Sequence, residues 1–317
     1  MKKIIIFLAI IGISSSNVFG IEEGRLELRK EFLQDQHEKT MLLAEQGDAD
    51  AQYKLVFNYA GGRGVEADMG KAVFWLKKSA KSGNAEAQLD LGIKHYIGST
   101  KGIPKDDNKA IDWIQKSAEQ GNAEAQDHLS IEYALGEIVE KDMKKVIFWL
   151  KKASKGGVAS SQHRLGVMYL YGHDMLMDKK KGLYWLKNSA NQDYIDSQKA
   201  LAEHYLTGDL EKTADDGLYW LKKAAKLGDS NSQFEAGRYY NLAEKDYSES
   251  VKWLSMASDQ DNKEAQGMLA GMYIFGKGVE KNMSKAKELI EKAYESNNLD
   301  IKERAKKKWE EFELWKY

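Results

Sequence analysis

Hydrophobic and polar positions along this chain repeat at intervals of 33 to 38 residues. A glutamine marks each of the seven copies; leucine follows three positions later in all but the sixth copy, and tyrosine follows seven positions later in all but the second. The glutamines are Gln52, Gln88, Gln126, Gln162, Gln198, Gln233 and Gln266. Offsets of three and seven place side chains on one face of an α-helix, so we predict a helix, called helix A, in each copy. A small residue four positions after the glutamine, absent only from the first copy, predicts close approach of a neighbouring helix.

A second amphipathic stripe follows each helix A and predicts a partner, called helix B. Its central position is tryptophan in six copies and Leu289 in the seventh. Those tryptophans are Trp75, Trp113, Trp149, Trp185, Trp220 and Trp253. Because six of the chain's eight tryptophans occupy this one position, we interpret them as core residues and not as ligand-stacking residues.

The turn from helix B to the next helix A is predicted by the hexapeptide Gly-Asn-Ala-Glu-Ala-Gln, which occurs at 83–88 and again at 121–126. Glycine there suits a left-handed helix C-terminus, and asparagine suits the N-cap of the following helix. Asp193 and Asp261 replace the glycine in two other copies. A helical hairpin cannot cover its own apolar stripes, so successive hairpins must stack. The sequence thus predicts an all-α fold, an α-solenoid of seven helix-turn-helix repeats over residues 47–298.

The two ends of the chain differ from the repeats. Residues 21–46 and 299–317 are predicted as N-terminal and C-terminal capping helices, the second carrying Trp309, Phe312 and Trp315 at helical spacing. Residues 1–20 combine lysines, a ten-residue apolar run and a small, polar end, which predicts a signal peptide. The apolar run is too short to span a membrane. We therefore expect an exported protein, periplasmic or secreted, without stable membrane insertion after cleavage.

Composition narrows the possible functions. Lysine plus arginine number 48 against 49 aspartate plus glutamate, so no positive field favours nucleic acid. The chain has no cysteine, so no disulfide can form. It has one proline, Pro104, and no segment with the composition of a linker, so one continuous body is expected.

Among motifs for catalysis only Ser284-x-x-Lys287 matches, and we interpret Ser284 as a helix cap. The six histidines are spread over the predicted N-terminal capping helix and four repeats. We expect no enzyme activity, no cofactor and no metal.

The repeats resemble the Sel-1-like repeat family, a branch of the tetratricopeptide-type solenoids. The residues of the first repeat that carry the resemblance are Gly47, Ala49, Ala51, Gln52, Leu55, Tyr59, Gly64, Val65, Lys71, Ala72 and Trp75. The resemblance implies a curved right-handed superhelix that binds proteins, and exported bacterial members look like envelope or host-interaction proteins. One secreted subgroup linked to β-lactam binding and hydrolysis is cysteine-rich, and this chain lacks that feature.

The resemblance also implies a concave binding face on helix A, at positions one, five and eight after the glutamine. The candidate partner-binding residues are Tyr53, Phe57, Leu89, Ile93, Tyr96, Ile131, Val167, Leu170, Lys199, Glu203 and Arg238. They change from apolar to charged along the chain, so an extended or helical partner segment with a charged end is expected. The alternative, that these positions pack between hairpins, stays open.

Three functions are therefore considered. The first is an exported scaffold that binds a protein partner of unknown identity. The second is an effector, antitoxin or immunity-type protein outside the cytoplasm. The third is a weak envelope hydrolase acting on β-lactams or peptidoglycan.

Overall fold

The computed structural model describes residues 15–207 and 214–317, so most of the predicted signal peptide lies outside the described residues. Every regular element in these two ranges is a helix, apart from a single bridge between Thr100 and Ile103. The helices are α1 (Ser15–Glu45), α2 (Ala49–Gly61), α3 (Met69–Lys81), α4 (Ala85–Ile97), α5 (Asp107–Glu119), α6 (Ala123–Leu135), α7 (Met143–Lys155), α8 (Ala159–Tyr171), α9 (Lys179–Ala190), α10 (Ile195–Leu206), α11 (Ala214–Lys226), α12 (Ser230–Tyr239), α13 (Tyr247–Asp259), α14 (Lys263–Phe275), α15 (Met283–Tyr294) and α16 (Leu299–Glu311).

Helices α2 to α15 form seven consecutive hairpins, in which each even-numbered helix is a helix A and each odd-numbered helix is a helix B. The predicted fold class, all-α with seven helix-turn-helix repeats of the solenoid type, is confirmed. Two short helical segments supplement the hairpins, a π-helical turn at Tyr240–Glu244 and a 3₁₀ turn at Leu314–Lys316.

The chain divides into two compact units, Met1–Gly157 and Val158–Tyr317, here called unit 1 and unit 2. Unit 1 contains α1 and the first three repeats, and unit 2 contains the last four repeats and α16. The expectation of one continuous body was therefore wrong. Repeats contact mainly their neighbours, so a division can fall at a repeat boundary without any change in composition.

The capping helices resemble those predicted, with different bounds. Helix α1 begins at Ser15, before the predicted boundary at residue 21. Residues 25–32 of α1 are all exposed, and the first side chain to pack is the partly buried Leu33. At the other end, Trp309 and Phe312 pack against the core of the last repeat, whereas Trp315 is exposed.

The predicted corners between repeats are confirmed by the backbone. Gly83 and Gly121 have φ values of 100° and 98°, and Asp193 and Asp261 take the same left-handed region with φ of 60° and 62°. The side chain of Asn84 accepts a hydrogen bond of 2.7 Å from the backbone N–H of Ala87, as an N-cap residue does. Two later helices begin without such a bond, since Val158 and Tyr194 occupy the N-cap positions of α8 and α10.

The core consists of the stripes that the sequence predicted. Four of the six helix-B tryptophans are buried, and Trp113 and Trp185 are partly buried. The small residue on helix A allows the two helices of a hairpin to touch. A Cβ atom added at Gly166 of α8 would lie 2.8 Å from the Leu186 Cγ and 3.0 Å from the Gly182 carbonyl oxygen, both on α9. Contact this close makes glycine necessary at position 166.

The repeated glutamine joins a hairpin to the helix before it in five of the seven repeats. In five copies its side-chain nitrogen donates a 3.0 Å hydrogen bond to a carbonyl oxygen eight residues earlier, at the end of the preceding helix. The pairs are Gln52 with Ala44, Gln88 with Ala80, Gln126 with Ala118, Gln198 with Ala190 and Gln233 with Ala225. Carbonyls in the last turn of a helix have no partner within that helix. Each of these five carbonyl oxygens accepts a backbone N–H from the positive-φ residue three positions later, as Ala80 does from Gly83, and the glutamine adds a second donor inside the core.

In some repeats the glutamine oxygen accepts a hydrogen bond from a second glutamine at the end of helix B. Gln120 donates to Gln88 Oε1 at 2.6 Å, and Gln260 donates to Gln233 Oε1 at 2.8 Å. In the fifth repeat the matching residue is Leu227, which is 46% exposed. The buried Gln198 Oε1 accepts no hydrogen bond from any part of the chain that the structure describes.

This difference predicts opposite effects of two reciprocal substitutions. Gln120→Leu should lower the free energy of unfolding by about 1–3 kcal/mol, because the side-chain oxygen of the buried Gln88 loses its hydrogen-bond donor. Leu227→Gln should raise it by about 0.5–1.5 kcal/mol, because Gln198 Oε1 gains one. Urea denaturation followed by circular dichroism measures both changes. Gln115→Leu, on the exposed face of the same helix as Gln120, is the control. Equal stability of the two variants would contradict the assignment.

Candidate functional site

The candidate surface consists of positions one, five and eight after each repeated glutamine, and is called here the helix-A face. Six of the eleven predicted residues lie in unit 1 and five in unit 2, and each set is a surface of its own unit. In unit 1 the rings of Tyr53 and Phe57 stack edge to face with centroids 5.0 Å apart. The Phe57 ring is 47% exposed, so this aromatic pair presents apolar area to solvent.

Two of the predicted residues do not belong to this surface. Leu89 and Leu170 are each only 5% exposed. Leu89 packs in a core cluster with Ile114, and the Leu170 side chain lies against Gly182 of α9, where an added Cβ atom would be 2.7 Å from Leu170 Cγ. Their prediction as partner-binding residues was wrong, because both are covered by neighbouring helices. The packing alternative is correct for these two positions.

The other apolar positions of unit 1 form a partly exposed surface. Tyr96 and Ile131 are exposed and Ile93 is partly buried. Burial, together with the carboxylates of Asp90, Glu86 and Glu124, raises the pKa of Tyr53 to about 12. The apolar surface of unit 1 therefore lies in an acidic environment.

The predicted charged residues of unit 2 already have partners within the protein. The Lys199 amine lies 3.5 Å from Asp229, and the Arg238 guanidinium lies 2.6 Å from Glu235. Glu203 is exposed and Val167 is partly buried. Because lysine and arginine are neutralised locally, this part of the surface offers a partner less charge than the sequence alone indicated.

One serine and one histidine approach each other as a nucleophile and its base would. His163 Nδ1 and Ser197 Oγ are 2.9 Å apart. Ser197 donates its only proton to Ser189 Oγ at 2.8 Å, and Ser189 in turn donates to the Ala159 carbonyl oxygen at 2.7 Å. His163 must therefore donate to Ser197, and cannot accept its proton. Ser197 is also fully buried, so no substrate reaches it.

The two residues of the Ser284-x-x-Lys287 motif lie close to the beginning of α15. Ser284 lies in the first turn of α15 and is not its cap, because Asn282 accepts the capping hydrogen bond. The Lys287 amine lies over the ring of Trp309, 5.8 Å from its centroid. Within residues 15–207 and 214–317, no cluster of three histidine or acidic side chains could hold a metal ion. No helix in the same ranges has the length and apolar character needed to cross a membrane.

Comparison with known families identifies the repeat. The Sel1 repeat model matches seven consecutive segments, 49–84, 85–122, 123–158, 159–194, 195–229, 230–262 and 263–298. The chain belongs to the Sel1 repeat family. Each matched segment of this Sel1 repeat protein contains one of the hairpins described above, so the resemblance stated from the sequence is confirmed.

Solved structures give the same result. A protective antigen present in uropathogenic Escherichia coli strains, with an SLR fold, is 29% identical at a TM-score of 0.70, covering 85% of this chain and 58% of that one. This Sel1 repeat protein thus spans a little more than half of that antigen. A Sel1 repeat protein from Oxalobacter formigenes is 29% identical at a TM-score of 0.62, covering 88% of this chain and 81% of that one. The comparison with curated proteins gives no match.

The structure also shows a site that the sequence reasoning missed. The last Sel1 repeat has glycine at two helix-A face positions, Gly267 and Gly271, and a cavity lies beside them. The sequence feature that could have indicated this cavity is glycine at both positions one and five after Gln266. No other repeat of the chain has glycine at both positions.

The hydrogen-bond order around His163 gives a testable prediction. A fluorophosphonate probe should leave no covalent adduct on Ser197 of the folded protein, because its hydroxyl is buried and its proton is already donated. Intact-protein mass spectrometry after incubation measures this directly, and a serine hydrolase treated in parallel shows that the probe is active. An adduct on Ser197 that disappears in the His163→Ala variant would contradict the donor assignment.

Proposed function

We propose that this Sel1 repeat protein is an exported, non-catalytic scaffold that binds a segment of another protein on the helix-A face of unit 1. The observation that carries the proposal is the exposed Phe57 ring beside Tyr53, on a helix held in a stack of hairpins. Exposed apolar side chains grouped on a rigid surface are typical of protein-interaction sites. Membership of a repeat family whose hairpins present extended surfaces supports the same function.

The charges around this surface favour one class of partner. Asp50, Glu86 and Glu124 each lie in the first turn of a helix A in unit 1. Together with Asp90 they place carboxylates close to the apolar surface. A partner segment that carries apolar and basic side chains complements this arrangement, because opposite charges steer association and disfavour other partners.

Photo-crosslinking tests the binding surface. Benzoylphenylalanine in place of Phe57 should give a discrete adduct with one protein of the native envelope fraction, because the side chain faces the partner. The matched control is the same substitution at Phe74, which is 57% exposed and lies on helix B of the same repeat. Adducts of equal yield from both positions, or none from position 57, would contradict the proposed surface.

Export is proposed from the first twenty residues and from the similarity to a protective antigen, a class of protein encountered outside the producing cell. Cleavage after Gly20 should give a mature chain that begins at Ile21. Mass spectrometry of the protein purified from the native periplasm and culture medium measures its N-terminus. Recovery only from the cytoplasm, with residues 1–20 still attached, would overturn the proposal.

A further inference from the structure

The last repeat has glycine at two helix-A positions where every other repeat has residues with side chains. Positions one and five after the repeated glutamine are Tyr53 and Phe57 in the first repeat, but Gly267 and Gly271 in the seventh. Both glycines lie inside α14, and neither has a positive φ, so the backbone does not require glycine at these points. Glycine destabilises a helix interior relative to alanine. The pair is therefore explained by the space that it leaves and not by backbone conformation.

That space is a cavity of about 500 Å³ in unit 2, between α14 and the C-terminal helix α16. Nothing lies within 4 Å of the point that a Gly267 Cβ atom would occupy. Apolar residues form part of the wall, among them Met268, Phe275 and Ile301. The volume lies within the range of small-molecule and peptide-end binding sites, roughly 300–1,000 Å³.

One cation points into this space without a counter-ion. The Lys308 amine donates a 2.6 Å hydrogen bond to the Gly267 carbonyl oxygen and would lie 3.2 Å from a Cβ atom added at Gly271. Burial lowers the pKa of Lys308 and the nearby Arg304 lowers it further, while Glu311 acts in the opposite direction. No carboxylate in the described ranges lies within 4 Å of the amine. An ammonium group has three protons to donate, so ligand oxygens can still bind it.

The other charges of the cavity strengthen its positive character. Lys277 and Lys307 also line it, and neither forms an ion pair with the residues that the structure describes. Lys263 and Arg304 are present too, but Lys263 pairs with Asp261 and Arg304 with Asp300. The anionic lining residues are Glu264 and Glu311. Cations thus outnumber carboxylates in the wall, although the whole chain is close to neutral.

We propose that this cavity binds a ligand with a single carboxylate on an apolar body, its carboxylate on the Lys308 amine and its apolar part against Met268 and Phe275. Two sources supply this chemistry, the C-terminal residues of a polypeptide and a free carboxylic acid. The site goes beyond the proposed function, because it lies in unit 2 and uses none of the residues assigned to the unit 1 surface. Binding here requires both the charge of Lys308 and the space left by the two glycines.

Calorimetric titration of the full chain tests this with four probes. Acetyl-Leu-Leu-Phe as the free acid is compared with its C-terminal amide, and octanoate is compared with octanol. At least one acid should bind about tenfold or more tightly than its neutral counterpart, because a hydrogen bond to a charged group is lost in the latter. If the peptide acid binds more tightly than octanoate, the natural ligand is a polypeptide C-terminus. If octanoate binds more tightly, the natural ligand is a free carboxylic acid.

Two variants separate the site from general effects on folding. Lys308→Met should weaken binding of the acid about tenfold to a hundredfold, whereas Lys306→Met, an exposed neighbour outside the cavity, should leave it unchanged. Gly267→Leu places in the seventh repeat the residue that the second repeat has at Leu89. It should fill the cavity and abolish binding without lowering the melting temperature, since leucine favours helix more than glycine does.

The outcomes that overturn the site are distinct from those that overturn the scaffold. Equal binding of acids and neutral probes, no binding of either acid at millimolar concentration, or unchanged binding by the Gly267→Leu variant would each exclude it. Crosslinking from position 57 in the Lys308→Met variant reports on the unit 1 surface independently. If the unaltered chain binds neither acid while the crosslink from position 57 still forms, this inference is rejected and the proposed function stands.

Discussion

The buried hydrogen bond between a repeated glutamine and the end of the helix before it, present in five repeats, is the interaction on which the rest of the structure depends. A helix end that turns sharply at a positive-φ residue leaves carbonyl oxygens facing the core, where water cannot satisfy them. The Gln88 side chain reaches the Ala80 carbonyl and fixes how α4 follows α3. Wherever this bond repeats, the next helix A begins in the same place. The sequence interval at which the glutamine recurs is therefore also the interval at which the helical hairpins recur.

Local features of the fold could be predicted because neighbouring residues determine them. The left-handed backbone at Gly83, the N-cap at Asn84 and the buried Trp75 each depend on a few adjacent positions. The division at Gly157 and Val158 could not be predicted, because no change of composition accompanies it. The bond from Gln120 to Gln88 joins residues 32 positions apart, and only the folded arrangement brings them together.

The candidate site was predicted in part for the same reason. Residues such as Phe57 and Tyr96 are exposed, since helical periodicity determines which side they face, and their role in binding stays a prediction. Helical periodicity does not determine how closely the next helix approaches, and that distance buries Leu89 and Leu170. The cavity beside Gly267 depends on the placement of α16, which belongs to no repeat. The periodicity of the repeats gives no information about where a helix outside the repeats, such as α16, will pack.

Helix α1 is long, and residues 25–32 of it do not pack against the rest of the protein. Its 31 residues correspond to roughly 46 Å, more than twice the length of the 13-residue α3. From Arg25 to Phe32 every side chain is exposed, and packing begins only at Leu33. Cleavage or unwinding of the chain between Arg25 and Phe32 therefore exposes no side chain that is packed in the core. The change from exposed to packed side chains falls inside one uninterrupted helix.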